Sequence, residues 1–177
     1  MHPIRRVAVR NGKPRGFTYL WVLLMVALLG MGLALGAEVY RTSLQREQES
    51  ALLAIGHEFR AAIRSYYQVP VAKGAVTAFA RYPTSLEDLL RDPRSVSVTR
   101  HLRQIYVDPL TGRAEWGLIK VGDRIVGIHS LADRSALKQG NFEPQDLLFE
   151  GRAKVSEWWF TYPADVHVAQ AETRAAR

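Results

Sequence analysis

The chain has 177 residues, room for one domain and an anchor, and its 47% apolar and 23% charged composition is ordinary for a folded protein. Its formal charge of +7 suggests a phosphate-binding surface only until its placement is considered: residues 1–16 hold Arg5, Arg6, Arg10, Lys13 and Arg15 and no acid, and removing those five from 24 basic residues leaves 19 against 17 acidic ones. Cysteine is absent, which excludes thiolate metal sites, thiol catalysis and disulfide staples while assigning no compartment.

The basic leader, residues 1–16, is followed by an apolar run at 17–37 without a single charge. A helix over this run rises ~31 Å at ~1.5 Å per residue, about one hydrocarbon thickness. Backbone amides in lipid must bond internally, so a single spanning segment has to be a helix. The leader's positive charge predicts a cytoplasmic N-terminus and export of everything after Glu38, with Tyr19 and Trp21 at the cytoplasmic edge. A cleaved signal peptide is the plainer reading, supported by the small-residue triplet Ala34-Leu35-Gly36. Two features oppose it: the run exceeds the ~7–15 residues of an ordinary signal core, and helical periodicity continues past it.

Over residues 38–68 apolar side chains fall at Val39, Tyr40, Leu44, Leu52, Ile55, Phe59, Ile63 and Tyr66, the stripe of an amphipathic helix. Gln45, Arg46, Glu49, His57, Glu58, Arg60 and Arg64 are expected on its polar faces. No proline interrupts the chain between Phe17 and Val69, so one helix is predicted from Phe17 to Gln68.

The junction Lys13-Pro14-Arg15-Gly16-Phe17-Thr18-Tyr19-Leu20 resembles the processing site of type IV prepilins and type II secretion pseudopilins. The resemblance implies cleavage after Gly16 by a membrane-bound prepilin peptidase and N-methylation of Phe17. A glycine there lets the backbone enter an active site without a Cβ in the way. Cutting at the cytoplasmic boundary retains the apolar helix as an anchor and later as a filament core. The family usually carries Glu at the fifth residue after the cut, where it pairs with a neighbour's N-terminal ammonium; here that residue is Trp21, as in minor members at filament tips. Gly32 and Gly36 form a GxxxG spacing, with Gly30 nearby. They read either as the glycines common in membrane helices or as points where the helix loosens when subunits stack.

The remainder, residues 69–162, is expected to be a small extracytoplasmic α+β domain, with 163–177 a polar tail. Val69-Pro70 ends the long helix, and 71–81 has no clear pattern. Thr84 with Glu87 forms a capping box that predicts a short helix to about Arg91, stopped by Asp92-Pro93. His101 to Ile105 reads as another helical turn. Asp108-Pro109 and Thr111-Gly112 mark a turn, with Asp108 bonded to backbone. Strands are predicted at Ala114–Val121 and Arg124–Ser130 around a Gly122-Asp123 hairpin turn, then a loop over 131–147, then a third strand at Val155–Tyr162. The sheet is expected to cover the outer half of the long helix. The order of a Tyr82-Pro83 segment with Leu86 and Leu89, an Asp108-Pro109…Gly112 turn and an antiparallel sheet is similar to the globular part of major-type pseudopilins. The fold implied is pilin-like.

No catalytic constellation emerges. The five histidines are scattered, and His129, Ser130 and Asp133, though close in sequence, read as a strand end and a polar loop, since a triad is a matter of geometry. The calcium loop of many major pseudopilins corresponds here to 130–139, where Asp133 is the one acid; calcium wants several oxygen ligands, so no metal and no cofactor are expected. Trp158, Trp159 and Phe160 cannot all be buried by strand alternation, which offers one of them either as a subunit contact or as the seat of a loop packed over the outer face. The reading is a non-enzymatic subunit in a bacterial inner membrane with a periplasmic head. The resemblance implies partnership with other pilin-like subunits, a prepilin peptidase, and indirectly an assembly platform and its ATPase. Two alternatives stand beside it: a minor pilin-type binding module for DNA, a surface or a secreted substrate, and a signal-anchored domain of other function. The small charge excess after the leader weighs against nucleic acid.

Overall fold

The computed structural model describes residues 17–70, 78–95 and 97–164. Helix α1 spans Phe17–Gln68, 52 residues, over the proline-free apolar and striped segments. The chain divides into two compact units, Met1–Ser43 and Leu44–Arg177. In the first, every described side chain from residue 18 to residue 43 is exposed except the half-buried Thr42, whose hydroxyl donates to Glu38 O (3.1 Å).

The second unit is α+β. Its core gathers Leu52, Phe59, Ala62, Ile63 and Tyr66 of α1 with Leu89, Trp116, Val126, Ile128, Phe149, Trp158 and Phe160. Three strands form one antiparallel sheet in the order β1 (Gly117–Val121), β2 (Arg124–His129), β3 (Phe160–Thr161). Gly122 opens the predicted hairpin turn with φ +64°, a conformation that suits a residue without Cβ. The register shifts between Ile119 and Lys120, leaving Val126 unopposed. This bulge breaks the alternation of the central strand, and Ile125, Val126, Gly127 and Ile128 are all buried.

Three local expectations are corrected. The short helix α2 is Glu87–Leu90, and Thr84 and Glu87 form no capping box. Asp88 does the work instead, its Oδ2 accepting from Thr84 N (2.9 Å), Thr84 Oγ1 (2.7 Å) and Ser85 N (3.1 Å). Residues 101–105 are not helical, because His101 N and Leu102 N both donate to Leu89 O at 2.9 Å and tie this stretch to α2. The third strand shrinks to two residues, preceded by a 3₁₀ turn at Val155–Glu157. Val155 and Trp158 are both fully buried. A strand points residues three apart to opposite faces, whereas a 3₁₀ turn stacks them on one. Trp158 and Phe160 then point inward and Trp159 is the outer ring, 37% exposed and near His129 (centroids 6.4 Å). The loop after β2 contains a further 3₁₀ segment, Pro144–Phe149. Most of the expected polar tail, 165–177, lies outside the described residues, as do 71–77.

Candidate functional site

The largest uncovered apolar surface is the first part of α1. Tyr19, Leu20, Trp21, Leu24, Leu28 and Leu33 are 54–76% exposed. The helix is long and apolar enough to cross a membrane. Gly16 lies outside the described residues, which open at Phe17 already within the helix. Trp21 is 54% exposed. Gly32 and Gly36 share one helix face, and a Cβ at either would meet nothing within 4 Å. That face is open to close approach by another helix.

The second part of α1 is held by polar anchors that its stripe contains. Glu49, expected on a polar face, is 2% exposed. Its Oε1 accepts from Leu137 N (2.9 Å) and Gln45 Nε2 (3.0 Å), and its Oε2 from Lys138 N (3.0 Å). Gln45 Nε2 also donates to Ser135 O (2.8 Å). Two and three turns further, His57 Nε2 and Arg60 NH1 meet the two oxygens of Asp146 at 2.5 and 2.7 Å. Arg60 is 8% exposed and Asp146 1%. The signal was in the spacing: 49, 52, 56, then 59 or 60, 63 and 66 advance by three or four residues along one stripe, which places Glu49, Gly56 and Arg60 on the buried face with Leu52 and Phe59. Asp146 gave no such signal, since its partners lie 86 and 89 residues away.

A second buried carboxylate closes the C-terminal end of α1. Asp92 accepts from Arg94 N (2.9 Å), Arg94 Nε (2.9 Å), Arg94 NH2 (2.8 Å) and His101 Nε2 (3.3 Å). Arg94 NH2 also donates to Tyr66 O at 2.8 Å, in the last turn of the helix, where a cation opposes the dipole. Hydrogen bonds from Arg94 hold the Asp92 carboxyl at about 2, well below the usual carboxylate range. A depressed folded pKa contributes stability that is fully present above the ordinary value near 3.8 and is lost as pH falls through about 2. Replacing Asp92 with Asn is therefore expected to flatten stability between pH 5 and pH 2 by about 2 kcal/mol, read from urea midpoints at the two pH values. An unchanged slope refutes the assignment.

The residues that invite a catalytic triad are drawn apart. Ser130 Oγ donates to Asp108 Oδ2 (2.6 Å) and accepts from Ala132 N (3.0 Å). His129 Nδ1 is 2.9 Å from Ser130 O, and Asp133 pairs with Lys154 at 2.6 Å. Asp108 is fully buried, and its Oδ1 accepts from Leu110 N (2.8 Å), the backbone bond expected of an Asp-Pro turn. Among the described residues no group of three His, Asp or Glu side chains is placed to hold a metal. No protein family, characterised protein or solved structure matches the chain.

Proposed function

We propose that the chain is a pilin-like, non-enzymatic subunit of a type II secretion or type IV pilus-like filament, anchored in a bacterial inner membrane with its head in the periplasm. One observation carries the reading: a single helix, already formed at Phe17, stays apolar and exposed through the lipid-length run and continues into the stripe that the core gathers around. A cleaved signal peptide would discard the first half of that helix. Retention of the whole helix makes sense where neighbours replace lipid, and there association rests on side-chain packing rather than on transfer from water. The Gly32–Gly36 face suits such packing. Trp21 points to a minor or atypical subunit, since the carboxylate that would register neighbours is missing. Ser130, committed to Asp108 in a buried bond, supports a structural role for the candidate catalytic residues.

Co-expression with a prepilin peptidase is expected to yield a mature protein beginning at Phe17 and one methyl group heavier, measured by intact-mass and N-terminal peptide spectrometry. An intact Met1, or a new N-terminus near Gly36 with a freely soluble product, ends this reading.

A further inference from the structure

One groove on the head concentrates unpaired charge. It measures about 490 Å³ and is lined by Leu90, Arg91, Val98, Arg100 and Arg103. The three arginines are exposed, and none pairs with a described acid of its own chain, in contrast to Arg60, Arg94 and Arg124. Like charges gathered at one place repel and stay hydrated, so they contribute nothing favourable to the lone head. Val98 beside them is 68% exposed.

A second surface of the same head has the complementary chemistry. In the 3₁₀ segment Pro144–Phe149 the three-residue period turns Asp146 and Phe149 inward and leaves Leu147 and Leu148 outward, 55% and 37% exposed. Exposed Glu143 and Glu150 flank it. Glu143 accepts one bond from Gln145 (3.0 Å), and a carboxylate has further acceptor capacity. The strip is thus two carboxylates bracketing two leucines, where the groove is three guanidiniums bracketing a leucine and a valine.

We infer that the arginine groove receives the Glu143–Glu150 strip of a second copy of this chain. The inference rests on the reading of the protein as a self-assembling subunit and names a contact through which its heads meet. Guanidiniums bind carboxylates through paired hydrogen bonds, and the aliphatic side chains supply the dry contact that excludes water from them. Groove and strip are different surfaces, so the contact is heterologous and leaves a free groove at one end and a free strip at the other, the arrangement that propagates a chain of subunits. Nucleic acid fits less well. No described aromatic side chain lines the groove to stack a base, and a duplex calls for a longer cationic track.

The cysteine-free chain lets crosslinking report the contact without background. Full-length copies carrying Val98→Cys and Leu147→Cys, co-expressed in membranes and mildly oxidised, are expected to form a disulfide-linked dimer that neither copy forms alone. Arg100→Glu with Arg103→Glu on the groove copy should lower its yield about tenfold, and Glu143→Arg with Glu150→Arg on the strip copy should restore it. Tryptophan fluorescence checks that each variant keeps its fold. The proposal is overturned if folded variants give no mixed dimer, if Val98→Cys links to itself as readily, or if charge reversal leaves the yield unchanged. It is also overturned if duplex DNA or acidic-lipid vesicles bind through these arginines while no mixed dimer forms. The N-terminus of the same preparations separates the two readings. A mixed dimer without cleavage before Phe17 removes the prepilin reading and keeps the contact; cleavage without a mixed dimer does the reverse.

Discussion

Asp146→Ala is expected to destabilise the head by about 3–5 kcal/mol, the scale for removing one partner of a buried ion pair. Asp146 is the only hydrogen-bond acceptor of Arg60 among the described residues, and the Arg60 Nε already lacks a partner. The Arg60 guanidinium is wedged over Phe149 and Phe160, 5.9 and 5.6 Å from their ring centroids, and its side chain is only 10% exposed. Removing the carboxylate strands a buried charge and takes from His57 its bond to the loop. The companion variant Asp146→Ala with Arg60→Met removes both charges and should recover much of the loss, because the penalty lies in the unpaired ion more than in the missing attraction. Urea unfolding of the full-length protein in detergent, followed by the fluorescence of buried Trp116 and Trp158, measures both. A single-variant loss below about 1 kcal/mol would show that Arg60 finds solvent and that the pair does not hold the loop to the helix.

Gly56→Ala should also destabilise, by about 1–3 kcal/mol or more, although the same change inside an exposed helix stabilises by about 0.5–1 kcal/mol. The sign reverses because the Phe160 ring lies directly on the helix backbone: a Cβ at Gly56 would stand 2.2 Å from a ring carbon, and Phe160 is fully buried against Phe149 and His57. The ring has nowhere to go without moving β3. Phe160→Leu in the Gly56→Ala background should recover part of the loss, since a smaller side chain leaves room for the methyl. If Gly56→Ala raises the unfolding midpoint, the close approach of strand and helix is wrong. Gly32→Ala is the natural contrast, since among the described residues its Cβ meets nothing within 4 Å; this change should leave the stability of the head unchanged.

The long helix and the hairpin were legible because their signals are local. A proline-free run carried α1 unbroken to its end at Gln68, and Gly122-Asp123 between apolar segments fixed the β1–β2 turn. The third strand was misjudged because its aromatic run satisfied strand propensity, while the choice between strand and 3₁₀ turn depended on Val155 and Trp158 sharing one pocket. The helix predicted at 101–105 failed for a related reason: its backbone donors found Leu89 O, a partner chosen by tertiary packing.

The sequence by itself determined a basic N-terminal stretch, an uncharged span of lipid length, one helix continuing past it and, from Leu52 onward, the apolar side of that helix, since each follows from charge, length or period within a single segment. Val39, Tyr40 and Leu44 of the expected stripe are exposed. The tertiary structure decided which polar residues of the stripe are buried, that Asp146 answers Arg60 and His57 while Asp92 answers Arg94 and His101, and that three unpaired arginines share a groove. Periodicity tells which side chains face inward. Only the folded chain brings together the distant atoms that make burying a charge tolerable or leave it waiting for a partner.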